Sequence, residues 1–458
     1  MSDVAIVVLA AGKGTRMKSE LPKVLHKIGS KTMLEEVLFT ANKLNPKRLV
    51  VVVGFGADKV KATLSEDVIA VTQKVQLGTG HAMMQALPAL DGFEGNVMIL
   101  YGDVPLLSFQ TLKNLLKKHL ETKAAVTVLT ALVDDPTGYG RIIRDEGTFL
   151  KIVEQKDASA KEKQIKEINS GVYCFTSKAL REYLPLLSPQ NKQGEYYLTD
   201  VLSLAKSDGK VVETLITEDL EEILGANNRL QLAELANLRN KRKLTELMLG
   251  GVTIFDPNNT YIDNEVEIDP DTTIEPGTFI YGKCHVASNT VIGPYSTLID
   301  TDVGSNVTIE RSVIVKAIIH SGAQIGPFAH IRPETTVCED AKVGNFVELK
   351  NSTIGKGSKA SHLTYLGDTK LGENVNIGAG TITCNFDGCN KNQTEIGNNA
   401  FIGSNSSLVA PLTIGKNAFT GAGSTITKDV PENALGIGRA KQINYKDWVN
   451  KKKKRKDI

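Results

Sequence analysis

The segment from Val266 to Val430 contains units such as Ile292-Gly-Pro-Tyr-Ser-Thr297 and Ile396-Gly-Asn-Asn-Ala-Phe401, in which an aliphatic residue returns every six positions. A period of six fits neither an amphipathic helix nor an alternating strand, and fixed short periods are typical of solenoids. Each unit is interpreted as one short strand followed by a tight turn. The aliphatic rows are therefore predicted to fill the interior of a coil whose strands pair with the coils above and below. These rows are Ile268, Ile274, Ile280, Val286, Ile292 and Leu298; Val313, Ile319, Ile325, Ile331, Val337, Val343 and Leu349; and Ile396, Ile402, Leu408 and Ile414.

The composition argues against several classes of protein. The chain has 458 residues and five cysteines without a C-x-x-C pair, which argues against a disulfide framework or a zinc ribbon and fits a reducing cytoplasm. The formal charge is +2, but without residues 451–458 there are 48 basic and 51 acidic residues. The basic charge of Lys451–Lys456 is predicted to lie on a disordered tail and not on a folded face, so nucleic acid is not an expected partner. A membrane is not expected either, because no apolar run is long enough to span one.

The amino-terminal half alternates the patterns of buried strands and helices. Val4–Leu9 is a continuous apolar run, typical of a parallel strand that is covered on both faces. Helical patterns at Met33–Leu44 and Ser108–Glu121 separate further strand-like runs at Arg48–Val53, Val68–Thr72, Asn96–Tyr101 and Ala125–Leu129. This alternation predicts an α/β domain with a mostly parallel sheet, in which ligands gather at the carboxyl ends of the strands.

A glycine-rich loop follows the first of these strands. The run Ala10-Ala-Gly-Lys-Gly-Thr-Arg16 has no G-x-x-x-x-G-K-[ST] match, and its G-K-G core also suits any tight strand-to-helix turn. Small residues let backbone N–H groups close around phosphates, and Lys13, Arg16 and Lys23 supply positive charge for a triphosphate and a leaving pyrophosphate. Asp103 follows an apolar strand and is well placed to hold Mg²⁺ beside phosphates, although aspartate at a strand end also caps turns.

The glycine loop lies within a longer match. The run Leu9-Ala-Ala-Gly-Lys-Gly-Thr-Arg-Met-Lys18, the QLGTGHA run and Tyr101-Gly-Asp103 together resemble the signature of the sugar-phosphate nucleotidyltransferases. The resemblance implies a Rossmann-like domain in which Arg16 and Lys23 act in catalysis, and in which Asp103 and Asn227 hold the metal. It implies that UTP and the UDP-sugar are bound by Leu9, Ala10, Ala11, Gly12, Lys13, Lys23, Gln73, Gly78, Thr79, Tyr101, Gly102, Asp103, Gly140, Glu154, Asn169 and Asn227. His81 in the QLGTGHA run is interpreted as structural, because nothing in the sequence supplies it with a proton to move.

A helical pattern joins the two halves. Asn228–Leu249 is rich in Leu, Ala, Glu, Lys and Arg and ends at Gly250-Gly251. The predicted domains are therefore residues 1–228, a helical linker at 229–251, and a repeat domain at 252–458.

The repeat domain resembles the hexapeptide-repeat acyltransferases, which implies a left-handed parallel β-helix. Its register slips after Leu298 and after Leu349, and the largest break follows Thr383. Cys384–Glu395 is therefore predicted to leave the coil as a loop, and loops of this kind commonly carry the function of a solenoid.

Three segments of the repeat domain match one family closely: Val343–Lys350, Lys359–Asp368 and Asn376–Asn385. With the amino-terminal motifs they make the chain resemble, nearly end to end, the bacterial bifunctional N-acetylglucosamine-1-phosphate uridylyltransferases and glucosamine-1-phosphate N-acetyltransferases of cell-wall precursor synthesis. The resemblance implies that acetyl-CoA acetylates glucosamine 1-phosphate and that N-acetylglucosamine 1-phosphate then reacts with UTP. It also implies Mg²⁺ as a cofactor and a homotrimer with acetyltransferase sites at the subunit boundaries.

His362 is the candidate base for acetyl transfer, because a sugar amine must lose a proton and imidazole has a pKa near working pH. A zinc site is not predicted, because no third ligand joins His320 and Cys338 in register. By the resemblance, the sugar phosphate is bound by Arg332, Lys350, Tyr365 and Asn376, and acetyl-CoA by Ala379, Asn385, Phe386, Ser404, Ala422 and Arg439. Phe386 replaces the tyrosine usual in the family, so a hydrogen bond from that hydroxyl is absent.

Two other functions fit parts of the sequence. A single-activity sugar-1-phosphate nucleotidyltransferase could use its β-helix only for oligomerisation or regulation, but the segment around His362 and the predicted loop argue against it. A non-catalytic solenoid scaffold would leave the glycine loop, Asp103 and Asn227 without a purpose.

Overall fold

A computed structural model describes residues 3–453 of the chain. The chain divides into two compact units between Arg239 and Asn240, a point inside the helix Arg229–Leu249. The domain limits at residues 228 and 251 stay a prediction, because this division falls between them.

The amino-terminal unit is built from a sheet and helices that alternate along the chain. Its strands are Val4–Ala10 (β1), Arg48–Val53 (β2), Ile69–Thr72 (β3), Asn96–Tyr101 (β4), Val126–Leu132 (β5), Arg141–Asp145 (β6), Thr148–Val153 (β7), Glu167–Thr176 (β8) and Val212–Thr217 (β9). Its helices are Met33–Asn42 (α1), Ala57–Lys61 (α2), Thr79–Ala86 (α3), Phe109–Thr122 (α4), Ser177–Tyr183 (α5), Asp200–Ser207 (α6) and the first part of Arg229–Leu249 (α7).

The sheet has the order β3-β2-β1-β4-β8-β5-β9, with β6 and β7 added beside β8. β1 pairs in parallel with β2 and β4, β2 with β3, and β5 with β9. Only β8 and the β6–β7 hairpin introduce antiparallel pairs. The predicted α/β class with a mostly parallel sheet is confirmed.

Strand β1 shows why its sequence is apolar throughout. Ala5, Val7 and Leu9 belong to the hydrophobic core on one face of the sheet, and Val4, Ile6 and Val8 belong to the core on the other. A strand covered on both faces has no solvent side on which polar residues could alternate.

The register of the central strands positions the candidate site. Leu9 lies opposite Tyr101 in the parallel pair of β1 and β4, and Gly102 N–H donates to the Leu9 carbonyl. The glycine loop after β1 and Asp103 after β4 therefore leave the sheet side by side at its carboxyl edge.

The carboxyl-terminal unit consists of short strands wound into a coil. They are Thr253–Ile254 (β10), Tyr261–Ile262 (β11), Glu267–Ile268 (β12), Thr273–Ile274 (β13), Phe279–Tyr281 (β14), His285–Val286 (β15), Val291–Ile292 (β16), Thr297–Ile299 (β17), Asp302–Val303 (β18), Thr308–Ile309 (β19), Val313–Val315 (β20), Ala317–Ile319 (β21), Gln324–Ile325 (β22), His330–Ile331 (β23), Thr335–Val337 (β24), Lys342–Lys350 (β25), Thr353–Ile354 (β26), Lys359–Gly367 (β27), Thr369–Leu371 (β28), Asn376–Ile377 (β29), Ile382–Cys384 (β30), Thr394–Ile396 (β31), Phe401–Ile402 (β32), Ser407–Val409 (β33), Leu412–Ile414 (β34), Phe419–Thr420 (β35), Thr425–Ile426 (β36) and Leu435–Gly436 (β37). The helix Trp448–Lys453 (α8) follows them.

The coils stack in parallel, as a β-helix requires. Each strand pairs with its counterpart in the next coil, so that Ile268 lies opposite Val286 and Ile292 opposite Ile309. The aliphatic rows form one buried core along the whole coil. The predicted parallel β-helix of hexapeptide repeats is confirmed.

Val313 is an exception to the predicted rows. Its side chain is 42% exposed, whereas Ile314 is fully buried, so the assignment of Val313 to the interior is wrong. The interior residues here are Ile309, Ile314 and Ile319, each five positions after the last. Because β20 is aliphatic at all its positions, the six-residue period selected the wrong neighbour.

Two long strands mark one corner of the coil. β25 pairs with β22 through its first residues and with β23 through its last residues, so it crosses from one face to the next. β25 bends at Phe346 (φ 57°), and β27 bends at Leu363 (φ 45°). Phe328, one coil before Phe346, also has a positive φ, 62°. The Phe328 and Phe346 rings stack with centroids 5.3 Å apart. We call Phe328, Phe346 and Leu363, which are all more than half exposed, the corner ridge.

The predicted loop is present but shorter than expected. Cys384 ends β30, and Thr394 and Glu395 begin β31, so the assignment of Cys384, Thr394 and Glu395 to the loop is wrong. Only residues 385–393 leave the coil, and an antiparallel bridge joins Phe386 to Lys391. This bridge folds the loop into a narrow hairpin.

The chain end differs from the prediction of a disordered tail. Lys451–Lys453 form the end of α8, and residues 454–456 lie outside the described part of the chain. Residues 437–452 are all exposed, among them the apolar side chains of Ile443, Tyr445 and Trp448. Within residues 3–453, no helix combines the length and the hydrophobicity that crossing a membrane would require.

Candidate active sites

The glycine loop forms one wall of a cavity in the amino-terminal unit. Gly14 has φ 57°, and a Cβ there would lie 2.6 Å from Lys23 Cβ, so glycine lets the Lys23 segment pack directly on the loop. The cavity measures about 420 Å³. It is lined by the predicted residues Leu9, Ala10, Ala11, Gly12, Lys13, Arg16, Lys23, Gln73, Gly78, Thr79, Tyr101, Asp103 and Asn227. Gly102 does not line it and instead packs against Leu34 and Val24.

Four polar side chains converge where the glycine loop meets the end of β4. Lys23 Nζ contacts Asp103 Oδ2 and lies 2.8 Å from Asn227 Oδ1. Arg16 Nη2 donates to the same Asn227 oxygen at 2.9 Å. The two predicted metal ligands therefore face one point, although they are far apart in the sequence. The positively charged side chains of Arg16 and Lys23 lie at the same point.

The donor set at this point fits Mg²⁺. A carboxylate oxygen and an amide oxygen are the hard ligands that Mg²⁺ prefers, and Mg²⁺ commonly takes one or two protein ligands and completes its shell with water and substrate phosphates. The described residues hold no group of three His, Cys, Asp or Glu side chains that could bind a metal without a substrate. The sparse donor set matches a metal that arrives with a nucleotide.

A second cavity of about 510 Å³ adjoins the first and shares with it Arg16, Thr79, Tyr101, Asp103, Glu195 and Asn227. Its far wall carries the predicted residues Gly140, Glu154 and Asn169. Asn169 Nδ2 donates to the Tyr173 hydroxyl at 2.8 Å. A Cβ on Gly140 would approach the Glu154 carboxylate to 3.3 Å, so the absence of a side chain keeps that carboxylate open to the cavity.

The carboxylate of Glu154 lines this second cavity. Burial raises its pKa, a hydrogen bond with Thr199 opposes the rise, and the nearby carboxylates of Asp200, Asp157 and Glu195 add to it. A carboxylate held in such a place accepts hydrogen bonds from ligand hydroxyl groups readily, because few protein donors compete for it.

At the opposite end of the first cavity, the start of α3 packs against residues 195–198. Gly78 has φ 104°, and a Cβ there would lie 2.6 Å from the Tyr196 carbonyl oxygen. Gly80 N–H donates to that oxygen at 2.7 Å. Thr79 Oγ1 accepts from Leu198 N–H at 3.1 Å. The glycines of the QLGTGHA run are therefore required by this close backbone contact.

In the carboxyl-terminal unit, His362 lies at the bend of β27 beside the corner ridge. It is opposite Asn345 in the neighbouring coil, and its Nδ1 lies 2.8 Å from Asn345 Oδ1. The amide oxygen accepts the Nδ1 proton, so the lone pair of the neutral ring is on Nε2. The His362 side chain is exposed, which leaves Nε2 accessible to a ligand.

A basic cluster lies near His362 on the adjoining face. Arg332 donates to Glu348 Oε1 at 2.9 Å, and Glu348 is opposite Tyr365 in the next coil. The pKa of Lys350 is lowered, first by the ammonium group of Lys391 beside it and also by Arg332. Repelling cations at a surface create a place where a dianion such as a phosphate monoester is stabilised.

The loop and one corner of the coil carry the predicted cofactor residues. Asn385 Nδ2 donates to Asp368 Oδ2 at 2.6 Å, which ties the base of the loop to the coil, while Phe386 is 61% exposed. Asn405 N–H donates to the Ala379 carbonyl, and Gly423 N–H donates to the Ser404 carbonyl. Ala379, Ser404 and Ala422 therefore follow one another at the same corner of consecutive coils. Asn376 opens β29 on the face next to it, and Arg439 follows the last coil in an exposed segment.

Several residues of these sites were missed by sequence reasoning. Lys391 was passed over because a single lysine in a polar loop has no signature. Asn345 lies in a recognised segment, but its role depends on its register opposite His362. Glu195, which lines both amino-terminal cavities, belongs to a stretch with no motif that the sequence reasoning recognised.

Two family models match parts of the chain. The MobA-like NTP transferase domain matches residues 6–202, and the bacterial transferase hexapeptide (six repeats) matches residues 316–351 and 393–428. The chain is 50% identical to the protein named Bifunctional protein GlmU of Brevibacillus brevis over 98% of both chains. It is 51% identical to that of Carboxydothermus hydrogenoformans, over 97% of this chain and 99% of the relative. It is 49% identical to that of Geobacillus sp. (strain WCH70), over 97% of both chains.

Proposed function

This chain belongs to the family of bifunctional GlmU proteins, and we propose that the sites described above divide its two reactions between the two units. The enzyme makes UDP-N-acetylglucosamine. It acetylates glucosamine 1-phosphate with acetyl-CoA and then transfers UMP from UTP to N-acetylglucosamine 1-phosphate, with release of pyrophosphate. The family membership and the presence of both domain types disfavour the single-activity alternative and the scaffold alternative.

The uridylyl transfer takes place in the paired amino-terminal cavities. The glycine loop encloses the triphosphate with backbone N–H groups, and the sugar phosphate enters from the side of Gly140, Glu154 and Asn169. The two cavities meet at Asp103, which suits an in-line attack of the sugar phosphate on the α-phosphorus. Arg16 and Lys23 offset the charge that develops on the leaving pyrophosphate.

Asp103 and Asn227 are proposed to hold Mg²⁺, which would supply further positive charge beside the phosphates of UTP. Lys23 contacts both residues in the structure. It keeps the two oxygens converged and neutralises the Asp103 carboxylate.

The acetyl transfer takes place at the bend of β27. His362 accepts a proton from the sugar amine through Nε2, because Asn345 holds the proton on Nδ1. This contact is the observation that carries the assignment, since it fixes both the tautomer and the direction of the ring. Arg332, Lys350 and Lys391 hold the sugar phosphate, with Tyr365 and Asn376 on the sugar.

Acetyl-CoA is proposed to bind along the corner formed by Ala379, Ser404 and Ala422, under the loop that carries Asn385 and Phe386. Arg439 supplies a cation for a phosphate of the cofactor.

A homotrimer is proposed because one coil offers too little shelter for these ligands. The corner ridge exposes three large apolar side chains beside His362, and the segment after Gly436 leaves its own coil with Ile443, Tyr445 and Trp448 exposed. Apolar surface of this kind is buried when copies of the coil pack side by side, and grooves between copies can enclose a ligand.

The reaction supplies cytoplasmic cell-wall precursors, and the five cysteines, all free, are compatible with that location.

The function is tested by incubating the protein with glucosamine 1-phosphate, acetyl-CoA, UTP and Mg²⁺ while assaying CoA and pyrophosphate separately. Both products are expected, and pyrophosphate should depend on prior acetylation. Release of pyrophosphate from glucosamine 1-phosphate without acetyl-CoA would contradict the order of the reactions.

Shared acetyltransferase sites are tested by mixing two inactive variants, His362→Ala and Arg439→Ala, under conditions in which subunits exchange. Partial recovery of acetylation is expected if the two residues come from different chains. Absence of recovery, despite exchange shown by mass and repeated with loop variants in place of Arg439→Ala, would place each site within one chain.

A further inference from the structure

Gln73 and His81 form a hydrogen-bonded pair at the first amino-terminal cavity, the one with the glycine loop as a wall. Gln73 directly follows the last residue of β3 and lines that cavity. Its Nε2 lies 3.1 Å from the Gly78 carbonyl oxygen and 3.0 Å from His81 Nδ1. Gln73 is only 3% exposed, so the protein alone decides how its amide is turned.

These contacts fix the orientation of the Gln73 amide. The Gly78 carbonyl can only accept, so the Gln73 atom beside it is the nitrogen. The second hydrogen of that nitrogen points to His81 Nδ1, which must then accept and be unprotonated. Both hydrogens are thereby used within the protein, and no hydrogen bond from a described residue reaches Gln73 Oε1. The group that Gln73 can offer to a ligand is an acceptor.

The position of His81 is itself fixed on the other side of the ring. The Gln85 side-chain nitrogen lies 3.3 Å from His81 Nε2 and donates to the His81 carbonyl oxygen at 3.4 Å. The ring also lies beside Tyr196, with centroids 6.2 Å apart. Gln85 and Tyr196 therefore limit the movement of the ring that presents Nδ1 to Gln73.

We infer that His81 is a positioning residue that sets the base specificity of the uridylyl site by holding the Gln73 oxygen toward the nucleobase. Uracil carries one ring N–H, at N3, and an oriented oxygen accepts from it. Cytosine has a lone pair at N3, so the same oxygen repels it and is left without a partner. Without His81, the Gln73 amide loses one of its two contacts and turns more freely, and the distinction between the bases weakens. This inference rests on the proposed function, because it concerns the nucleotide that the same site uses.

The test compares kcat/KM for UTP and CTP, with N-acetylglucosamine 1-phosphate as the acceptor, in the full-length protein. His81→Phe keeps a ring but removes the acceptor. We expect the ratio of kcat/KM for UTP to kcat/KM for CTP to fall by about tenfold or more, because one oriented hydrogen bond contributes roughly that much discrimination. His81→Asn places an amide oxygen near the position of Nδ1 and should restore most of the preference. Denaturant unfolding followed by circular dichroism, together with hydrogen exchange of amides in the amino-terminal unit, reports whether each variant is folded.

A double variant separates positioning from mere packing. Gln73→Leu alone should lower the preference for UTP, and adding His81→Phe to it should change the ratio no further, because His81 acts through Gln73. The inference is wrong if His81→Phe lowers kcat/KM for UTP and for CTP by the same factor. It is also wrong if His81→Phe lowers the ratio of the two values equally in the parent and in Gln73→Leu. If the unaltered protein used neither UTP nor CTP, the proposed function itself would fail, whereas an unchanged ratio in a protein that uses UTP overturns only the role of His81.

Discussion

Asn345 Oδ1 lies 2.8 Å from His362 Nδ1, and the two residues are direct neighbours in adjacent coils. The contact decides which nitrogen of the ring can act as a base, because a nitrogen that donates to an amide oxygen has no free lone pair. The stacking of the coils therefore sets the tautomer of the proposed catalytic base.

Removing this contact should slow acetyl transfer. In Asn345→Ala the ring loses its tautomer preference and its orientation, and we expect the rate of CoA release to fall by about 10-fold to 100-fold. Asn345→Asp keeps an acceptor and should lose less. His362→Ala removes the base itself and should cost about 10²- to 10⁴-fold. Uridylyl transfer from supplied N-acetylglucosamine 1-phosphate serves as the control and should be unchanged in all three. Equal rates for Asn345→Ala and the parent would show that the contact has no catalytic role.

Asp103→Ala should abolish pyrophosphate release while leaving CoA release intact. Asp103 is the only carboxylate that Lys23 contacts among the described residues, and its loss removes both a predicted metal ligand and the partner of that lysine. Asp134→Ala is the matched control, because the Asp134 side chain is fully exposed. A parallel fall of both activities in a folded Asp103→Ala protein would contradict two independent sites.

Lys391→Ala should weaken binding of glucosamine 1-phosphate. The ammonium group of Lys391 lowers the pKa of Lys350, so its removal should raise that pKa, which NMR of the lysine side chains can follow. The KM for glucosamine 1-phosphate should rise by about tenfold, as expected for the loss of one charge-assisted contact, with kcat changed less. Lys370→Ala, an exposed lysine on a different face of the coil, should leave the KM unchanged. A KM that responds equally to both substitutions would place the phosphate elsewhere.

The stability of the amino-terminal unit should depend on pH through His119. Burial lowers the pKa of His119 to about 4 from its ordinary value of 6.5, and its Nδ1 contacts Thr127 Oγ1 at 2.9 Å. The unfolded chain therefore binds the proton more tightly than the folded protein does, so the contribution of His119 is complete above pH 6.5 and is lost as the pH falls toward 4. The loss between pH 7.5 and pH 5 should be about 2 kcal/mol.

Hydrogen exchange of the amides in α4 and β5 measures this loss. His119→Gln can keep the contact with Thr127 but does not titrate, so its unfolding free energy should fall less than that of the parent over the same range. Identical pH profiles in the two proteins would exclude His119 as the source.

A pair of neighbouring substitutions tests the register of β20. Ile314 is fully buried and Val313 is 42% exposed. Ile314→Ala should destabilise the carboxyl-terminal unit by about 2–5 kcal/mol through a cavity in the coil, and Val313→Ala by less than about 1 kcal/mol. Denaturant unfolding followed by circular dichroism gives both values. The reverse order would restore the register that the six-residue period predicts.

The sequence predicts those parts of the fold in which the pattern of apolar residues shows which positions are buried. β1 was predicted because it is apolar on both faces, and most of the coil because one aliphatic residue per unit is buried. Val313 was misplaced because the spacing of the buried residues shortens there from six positions to five. Val313, Ile314 and Val315 are all aliphatic, so the sequence alone does not show which of them faces the interior. The bends at Phe346 and Leu363 were not predicted, since positive φ values are rare for bulky residues.

The candidate sites were predicted through family motifs rather than through contacts. Motifs identify Asp103, Asn227 and His362, but not which atoms they face. The convergence of Lys23 on Asp103 and Asn227 depends on the order of strands in the sheet. The roles proposed for Lys391 and His81 depend on their contacts with Lys350 and Gln73, which sequence spacing does not encode. These contacts become visible only in the folded structure.

The helix Arg229–Leu249 limits how the polypeptide can be dissected. Its Leu235 belongs to a core cluster with Met33 and Leu106, and its Leu244 and Leu247 belong to the core of the coil. A fragment that stops at residue 228 loses the first anchor, and a fragment that starts at residue 252 loses the other two. Two separately expressed halves can each fold fully only if the helix is present in both, so a functional split of this gene requires overlapping rather than adjoining pieces.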